Sequence, residues 1–127
     1  MQDTQAFDPL YKRSTQTAGV STAGSLVTSV TVAATNAAAT ASTVFPGTKR
    51  NNNTQIQIAN KTSAWAHVNF GVLGLTVTAA TVAASYPVAP GSVVVVTVNP
   101  EVDAASVILD AAPAASTSVI FTRGGGL

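Results

Sequence analysis

The stretch from Ser92 to Val98 constrains the fold of this chain most, because four consecutive valines lie within it. Branching at Cβ restricts χ1 and favours a pleated strand over a helix. Apolar side chains fall on both parities of this strand, which is typical of a strand buried on both faces. The sequence therefore predicts that it lies centrally in a sandwich or in a subunit contact. Proline and glycine in residues 86–91 and Asn99-Pro100 are predicted to break the chain on either side.

Alternation of apolar and polar residues predicts further strands. Residues 54–59 and 64–70 alternate cleanly, and the polar residues Asn60 to Ser63 between them are predicted to form a hairpin turn. Weaker patterns predict strands near residues 25–34, 41–45, 76–80, 106–110 and 117–122. Roughly eight short strands, separated by turn signals and without a convincing helix, indicate an all-β fold, namely an antiparallel β-sandwich or jelly roll.

Residues 1–24 differ from the rest and are interpreted as an extended N-terminal arm. Phe7, Leu10 and Tyr11 are spaced through a polar segment, and Lys12-Arg13 follows them. These five residues are candidates for binding a partner, since disordered tails rarely carry spaced aromatic residues. The alternative is a frayed terminus. Residues 25–127 are predicted to form the β-sandwich domain, ending in a short flexible tail from Arg123.

The low charge of the chain bears on its partners. Charged residues make up 9% of the sequence, whereas soluble domains typically carry about 25%. We interpret this deficit as a sign that other subunits cover much of the surface; the alternative is a neutral β domain that stands alone. A net charge of +1 gives no reason to expect nucleic acid binding. Every apolar run is interrupted well before the ~18 residues of a membrane span, so no membrane partner is predicted.

The most polar run, Lys49 to Asn53, is predicted to be an exposed loop. Its Lys49-Arg50 pair is the second candidate for partner binding, through a contact with an acidic partner. The simpler interpretation is a solvated loop.

The inventory of reactive side chains predicts no enzyme, no metal site and no cofactor. His67 is the single histidine and cysteine is absent, whereas metal sites need several ligands among His, Cys, Asp and Glu. Glu101 and Asp103 share strand parity and could form a weak Ca²⁺ or acid pair. A solvated turn after Pro100 is the simpler interpretation of that pair. A Ser-His-Asp triad has no specificity in a chain so rich in serine.

Trp65 is the residue with the strongest binding character. Beside His67 and Asn69 it could form a face on which a sugar stacks. The alternative is a tryptophan in the sandwich core or in an interface, with its indole N–H bonded to a partner.

Three segments of the C-terminal half resemble small virion proteins of tailed bacteriophages. The segments are Ile56 to Asn60 with Ala64 to Gly71, Tyr86 to Ser92 before the valine strand, and the ending Val119 to Leu127. Together they span roughly residues 55–127. They look most like β-sandwich capsid cement, or decoration, proteins.

The resemblance implies a jelly-roll structural protein on the capsid exterior of a virion. Such a protein binds the major capsid protein of the phage shell and stabilises the head by bridging capsomers. It also implies a homo-oligomer, a dimer or trimer, seated on a symmetry axis. A receptor- or glycan-binding β-sandwich module of a phage tail or fibre is the alternative function.

Overall fold

The structure, a computed structural model, describes residues 8–9, 15–17, 20–22, 29–45, 55–72, 77–99 and 101–125. These residues contain eleven β-strands and no helix. The strands are β1 Asp8–Pro9, β2 Thr15–Thr17, β3 Val20–Thr22, β4 Val30–Ala33, β5 Thr40–Ala41, β6 Gln55–Asn60, β7 Ala66–Gly71, β8 Tyr86–Val88, β9 Val93–Thr97, β10 Ala104–Leu109 and β11 Ser118–Gly125.

Strands β4 to β11 form two antiparallel sheets, which confirms the predicted all-β sandwich. The first sheet has the order β4-β11-β6-β9, and β1 also pairs with β11. The second sheet has the order β5-β10-β7-β8. Consecutive strands change sheet at every step except from β7 to β8, which is the strand order of a jelly roll.

The core lies between the two sheets and is filled by alternate residues of their strands. Phe121 of β11 is at its centre, stacked on Phe45 at 5.5 Å between ring centroids and edge-on to Phe70 at 6.4 Å. Such aromatic pairs add about 0.5–1.5 kcal/mol beyond the area that they bury. The predicted inward positions Ile56 and Ile58 are completely buried.

Residues Asn60 to Ser63 do not form the predicted hairpin turn. β6 belongs to the first sheet and β7 to the second, so this segment carries the chain from one sheet to the other. Alternation on both sides of a polar segment shows that two strands are present, but two paired strands and two strands in separate sheets give the same alternation.

The valine strand β9 is not central. It is the end strand of the first sheet and, among the described residues, pairs with β6 alone. Its inner residues Val94 and Val96 pack against the core, whereas Val93 and Val95 are 57% and 42% exposed. The predicted central place in the sandwich is therefore wrong; a place in a subunit contact stays a prediction.

Residues 86–91 were predicted only to break the chain, yet Tyr86–Val88 forms the edge strand β8. Proline is tolerated in an edge strand because its missing N–H can face outwards. The tight turn from Ala89 to Ser92 then leads into β9, with the Ser92 N–H donating to the Ala89 carbonyl at 3.2 Å. Gly91 has φ of +69°, a conformation that glycine adopts without strain.

The strand predicted near residues 76–80 is absent from 77–80, which instead cross the outer face of the second sheet. The Asn69 side-chain amide donates to the Thr78 carbonyl at 2.9 Å, and the Ala80 N–H donates to Ser106 Oγ at 3.0 Å. Gly71 permits this close approach, because a Cβ there would lie 3.3 Å from Val77.

The C-terminal tail was predicted to begin at Arg123, but β11 continues to Gly125. β1 of the predicted arm pairs with this extension, Asp8 opposite Gly125 and Pro9 opposite Gly124. β2 and β3 pair with each other. The division into an arm and a domain stays a prediction.

Candidate functional site

The seven residues predicted to bind a partner lie outside the residues that the structure describes. They are Phe7, Leu10, Tyr11, Lys12, Arg13, Lys49 and Arg50. The described structure therefore brings none of them together, and their role stays a prediction. The features that it does place are a buried charged pair, a polar corner, a buried histidine, an exposed tryptophan and an exposed sheet edge.

The buried charged pair joins the two sheets at one end of the core. Arg123 has the same parity in β11 as Phe121 and is only 3% exposed. Its Nη1 donates to the Val102 carbonyl. Asp103, 7% exposed, precedes β10 of the other sheet, and its backbone N–H donates to the Gly71 carbonyl at 3.1 Å.

The electrostatics of this end follow from burial and from two nearby carboxylates. Burial lowers the pKa of Arg123 from its usual value, while the charges of Asp103 and, more weakly, Glu101 raise it. Glu101 lies in an exposed turn. Of the two carboxylates that the sequence suggested as a pair, Glu101 is therefore exposed and Asp103 is buried. The solvated-turn interpretation holds for Glu101 and is wrong for Asp103, which faces a buried guanidinium.

The polar corner is built around Asn60, which is 1% exposed. Its Nδ2 lies within hydrogen-bond distance of the carbonyls of Ala64, Val88 and Ala89, at 2.9, 3.0 and 3.2 Å. Its Oδ1 accepts from the backbone N–H and the hydroxyl of Thr62, at 3.0 and 2.7 Å. One side chain thus ties the crossing between the sheets to the end of β8, and so positions the β8–β9 turn.

His67 lies on the outer face of the second sheet, opposite Ile108 of β10 and Pro87 of β8. It is 9% exposed, and neither of its ring nitrogens has a hydrogen-bond partner. The position of His67 is that of a packed side chain, and replacing it with alanine would leave a void beside the sheet.

Trp65 precedes β7 and is 45% exposed. Its carbonyl accepts from the Asp110 N–H at 3.1 Å, which fixes the backbone beneath the ring. The interpretation as a core tryptophan is therefore wrong. Both the interface and the sugar-stacking interpretations are compatible with this exposure.

The exposed sheet edge is another feature that alternation did not predict. The β8–β9 side of the sandwich carries three of the six exposed large apolar residues of the described structure, namely Tyr86, Val93 and Val95. The neighbouring positions on the outer face of the first sheet, Gln57 and Ala59, are also uncharged. This edge is an apolar surface that a partner strand could cover.

No group of three or more potential metal ligands occurs among the described residues. The same part of the chain holds no helix that is long and apolar enough to cross a membrane. The chain matches no protein-family model, and comparisons with curated proteins and with solved structures found no match.

Proposed function

We propose that this chain is a structural virion protein that binds the outside of a bacteriophage capsid. In this role it cements neighbouring major capsid subunits, acts as a homo-oligomer and has no catalytic function. The proposal takes its starting point from the resemblance of residues 55–127 to capsid cement proteins.

The observation that carries the proposal is a jelly roll with an almost uncharged, partly apolar surface. Viral capsid domains are among the proteins that use this fold. Only 9% of the chain is charged, and Val44, Val82 and Val93 are each about half exposed. A dense protein shell would cover such side chains, and a surface with so few charges has little electrostatic protection against association.

The mechanism is thermodynamic linkage. A protein that binds the assembled shell and not its free subunits stabilises the shell by mass action. Each copy contributes little, but several contacts held together in one oligomer raise the effective concentration of the others. Uncharged Thr and Ser surfaces suit interfaces of this kind because they lose no ion hydration when water is displaced.

Shell binding is expected to depend on the N-terminal arm. Replacing Phe7, Leu10 and Tyr11 together with alanine removes three apolar side chains. The two aromatic rings among them could each bury ~150–250 Å² in a partner's groove. We expect at least a ten-fold (~1.4 kcal/mol) weaker affinity for phage heads that lack this protein. Co-sedimentation of the purified protein with such heads measures the change.

The control for this experiment is Lys61→Ala, a change at an exposed position of the sandwich. It should bind the heads like the parent chain, and both proteins should melt at the same temperature as the triple variant. A triple variant that decorates heads with unchanged affinity would place the docking surface on the sandwich. Failure of the parent chain to bind heads at all would overturn the proposed function.

A receptor- or glycan-binding module of a tail or fibre is the second candidate. The exposure of Trp65 favours it, since a solvent-facing indole offers an apolar ring face on which a sugar ring can stack. Lectin domains also use the jelly roll. The location of the protein on the virion separates this candidate from a capsid protein.

A further inference from the structure

We propose that β9 pairs with β9 of a second copy of this chain, antiparallel and around a twofold axis through Val95. The pairing joins the first sheets of two sandwiches into one continuous sheet. It specifies the homo-oligomer of the proposed function. It rests on the strand edge alone, so a failed dimer and failed shell binding are separate results.

β9 is an edge strand of the described structure. Among the described residues its only strand partner is β6, and no described strand pairs with its other side. The adjacent edge strand β8 carries Pro87, which has no N–H to donate to an added strand. β9 contains neither proline nor a bulge in its ladder with β6. Of these two edges, β9 is the one that can accept another strand.

The sequence of β9 is complementary to itself in the antiparallel direction. A twofold axis at Val95 places Val95 opposite Val95, Val94 opposite Val96, and Val93 opposite Thr97. Every opposed pair then lies on the same face, as antiparallel pairing requires. The core-facing Val94 and Val96 meet each other, and the exposed Val93 and Val95 gain β-branched neighbours across the new ladder.

Charge does not oppose this pairing. No Asp, Glu, Lys or Arg occurs between residues 62 and 100, which include β7, β8 and β9. Natural edge strands are usually guarded against self-association by charged side chains, especially lysine. The side chains on the outer face of β6 beside this edge, Gln55, Gln57 and Ala59, are uncharged too.

A second copy is the occupant that these features favour. Twofold dimers present the same patch on both subunits, so the patch must match itself in length, apolarity and charge. β9 does so over all five of its residues. An unrelated partner would need a complementary strand of its own, about which the described structure gives no indication.

Disulfide trapping tests the register directly, because the chain has no cysteine of its own. Directly opposed residues have Cβ atoms about 4.5–5.5 Å apart, close enough for a disulfide after small adjustments. In a dimer of this register the two thiols of Val95→Cys are held next to each other, which raises their effective concentration. This variant should therefore form a covalent dimer under mild oxidation at least about ten times faster than a control variant. The control is Val44→Cys. Val44 is exposed to a similar extent, at 49%, but it follows β5, which is at the edge of the second sheet far from β8 and β9.

Sedimentation of Val95→Lys gives the second measurement. Two lysines opposed on the twofold axis repel each other, so this variant should sediment as the 12.7 kDa monomer where the parent chain is dimeric. Val44→Lys should keep the parent's mass, and circular dichroism should show both variants folded. Equal trapping rates for Val95→Cys and Val44→Cys would overturn the proposal. A parent oligomer whose mass Val95→Lys leaves unchanged would also overturn it, since another surface would then hold the subunits.

Discussion

Asp103→Ala is expected to destabilise the fold by about 3–5 kcal/mol, because it leaves the buried Arg123 guanidinium without its main counter-charge. The charge of Asp103 is the larger of the two that raise the pKa of Arg123 against the effect of burial. Glu101, the other, lies in an exposed turn, where water screens its charge. Urea unfolding followed by far-ultraviolet circular dichroism measures the loss.

The double variant Asp103→Ala with Arg123→Met is the control for this effect. Removing both charges replaces two buried groups of opposite charge with apolar groups, a change that is often nearly neutral. We therefore expect the double variant to recover most of the stability that Asp103→Ala loses. Additive losses in the double variant would show that the two side chains are not coupled. The Glu101→Ala variant should change the stability by less than about 1 kcal/mol.

Asn60→Ala is expected to be the second most damaging change, at about 3 kcal/mol. It removes the hydrogen bonds that Asn60 makes with the Thr62 N–H and with the Val88 carbonyl, whereas the Thr62 hydroxyl can still donate to the Ala64 carbonyl. Each buried polar group left without a partner costs about 1–3 kcal/mol. The β8–β9 turn should also loosen, which faster hydrogen exchange of the Ser92 amide would report.

Two further variants serve as comparisons for Asn60→Ala. Asn36→Ala removes the same side chain at an exposed position and should stay within about 0.5 kcal/mol of the parent chain. Thr62→Val removes one hydroxyl of the same corner and should cost less than Asn60→Ala. A loss for Asn60→Ala no larger than that for Asn36→Ala would contradict the role of Asn60 as the tie between the sheets.

Alternation predicted β6 and β7 because their inner residues are deeply buried. Ile56 and Ile58 are completely buried, as the pattern of β6 required. The same reasoning misplaced β9, since apolar side chains on both faces indicate a strand that avoids water and do not say what covers it. A valine strand in a sheet centre and one at an unpartnered edge have the same sequence pattern.

The buried charged pair and the polar corner were beyond the reach of local patterns. Arg123 sits before three glycines, which suggested a flexible tail, although it continues the inward parity of Val119 and Phe121. Its partner Asp103 is distant in sequence and comes close only when the two sheets pack. Asn60 was read as a turn residue for its local propensity, whereas its hydrogen bonds reach Val88, 28 residues away.

Labelling of intact virions with an antibody against this chain, seen by electron microscopy, tests the central claim most directly. If the chain cements a capsid, the label should cover the head at regular spacing, and heads stripped of the protein should lose their label and become less stable to heat. Label confined to a tail or fibre tip would contradict the capsid assignment and support a receptor-binding module. Virions without label would contradict both.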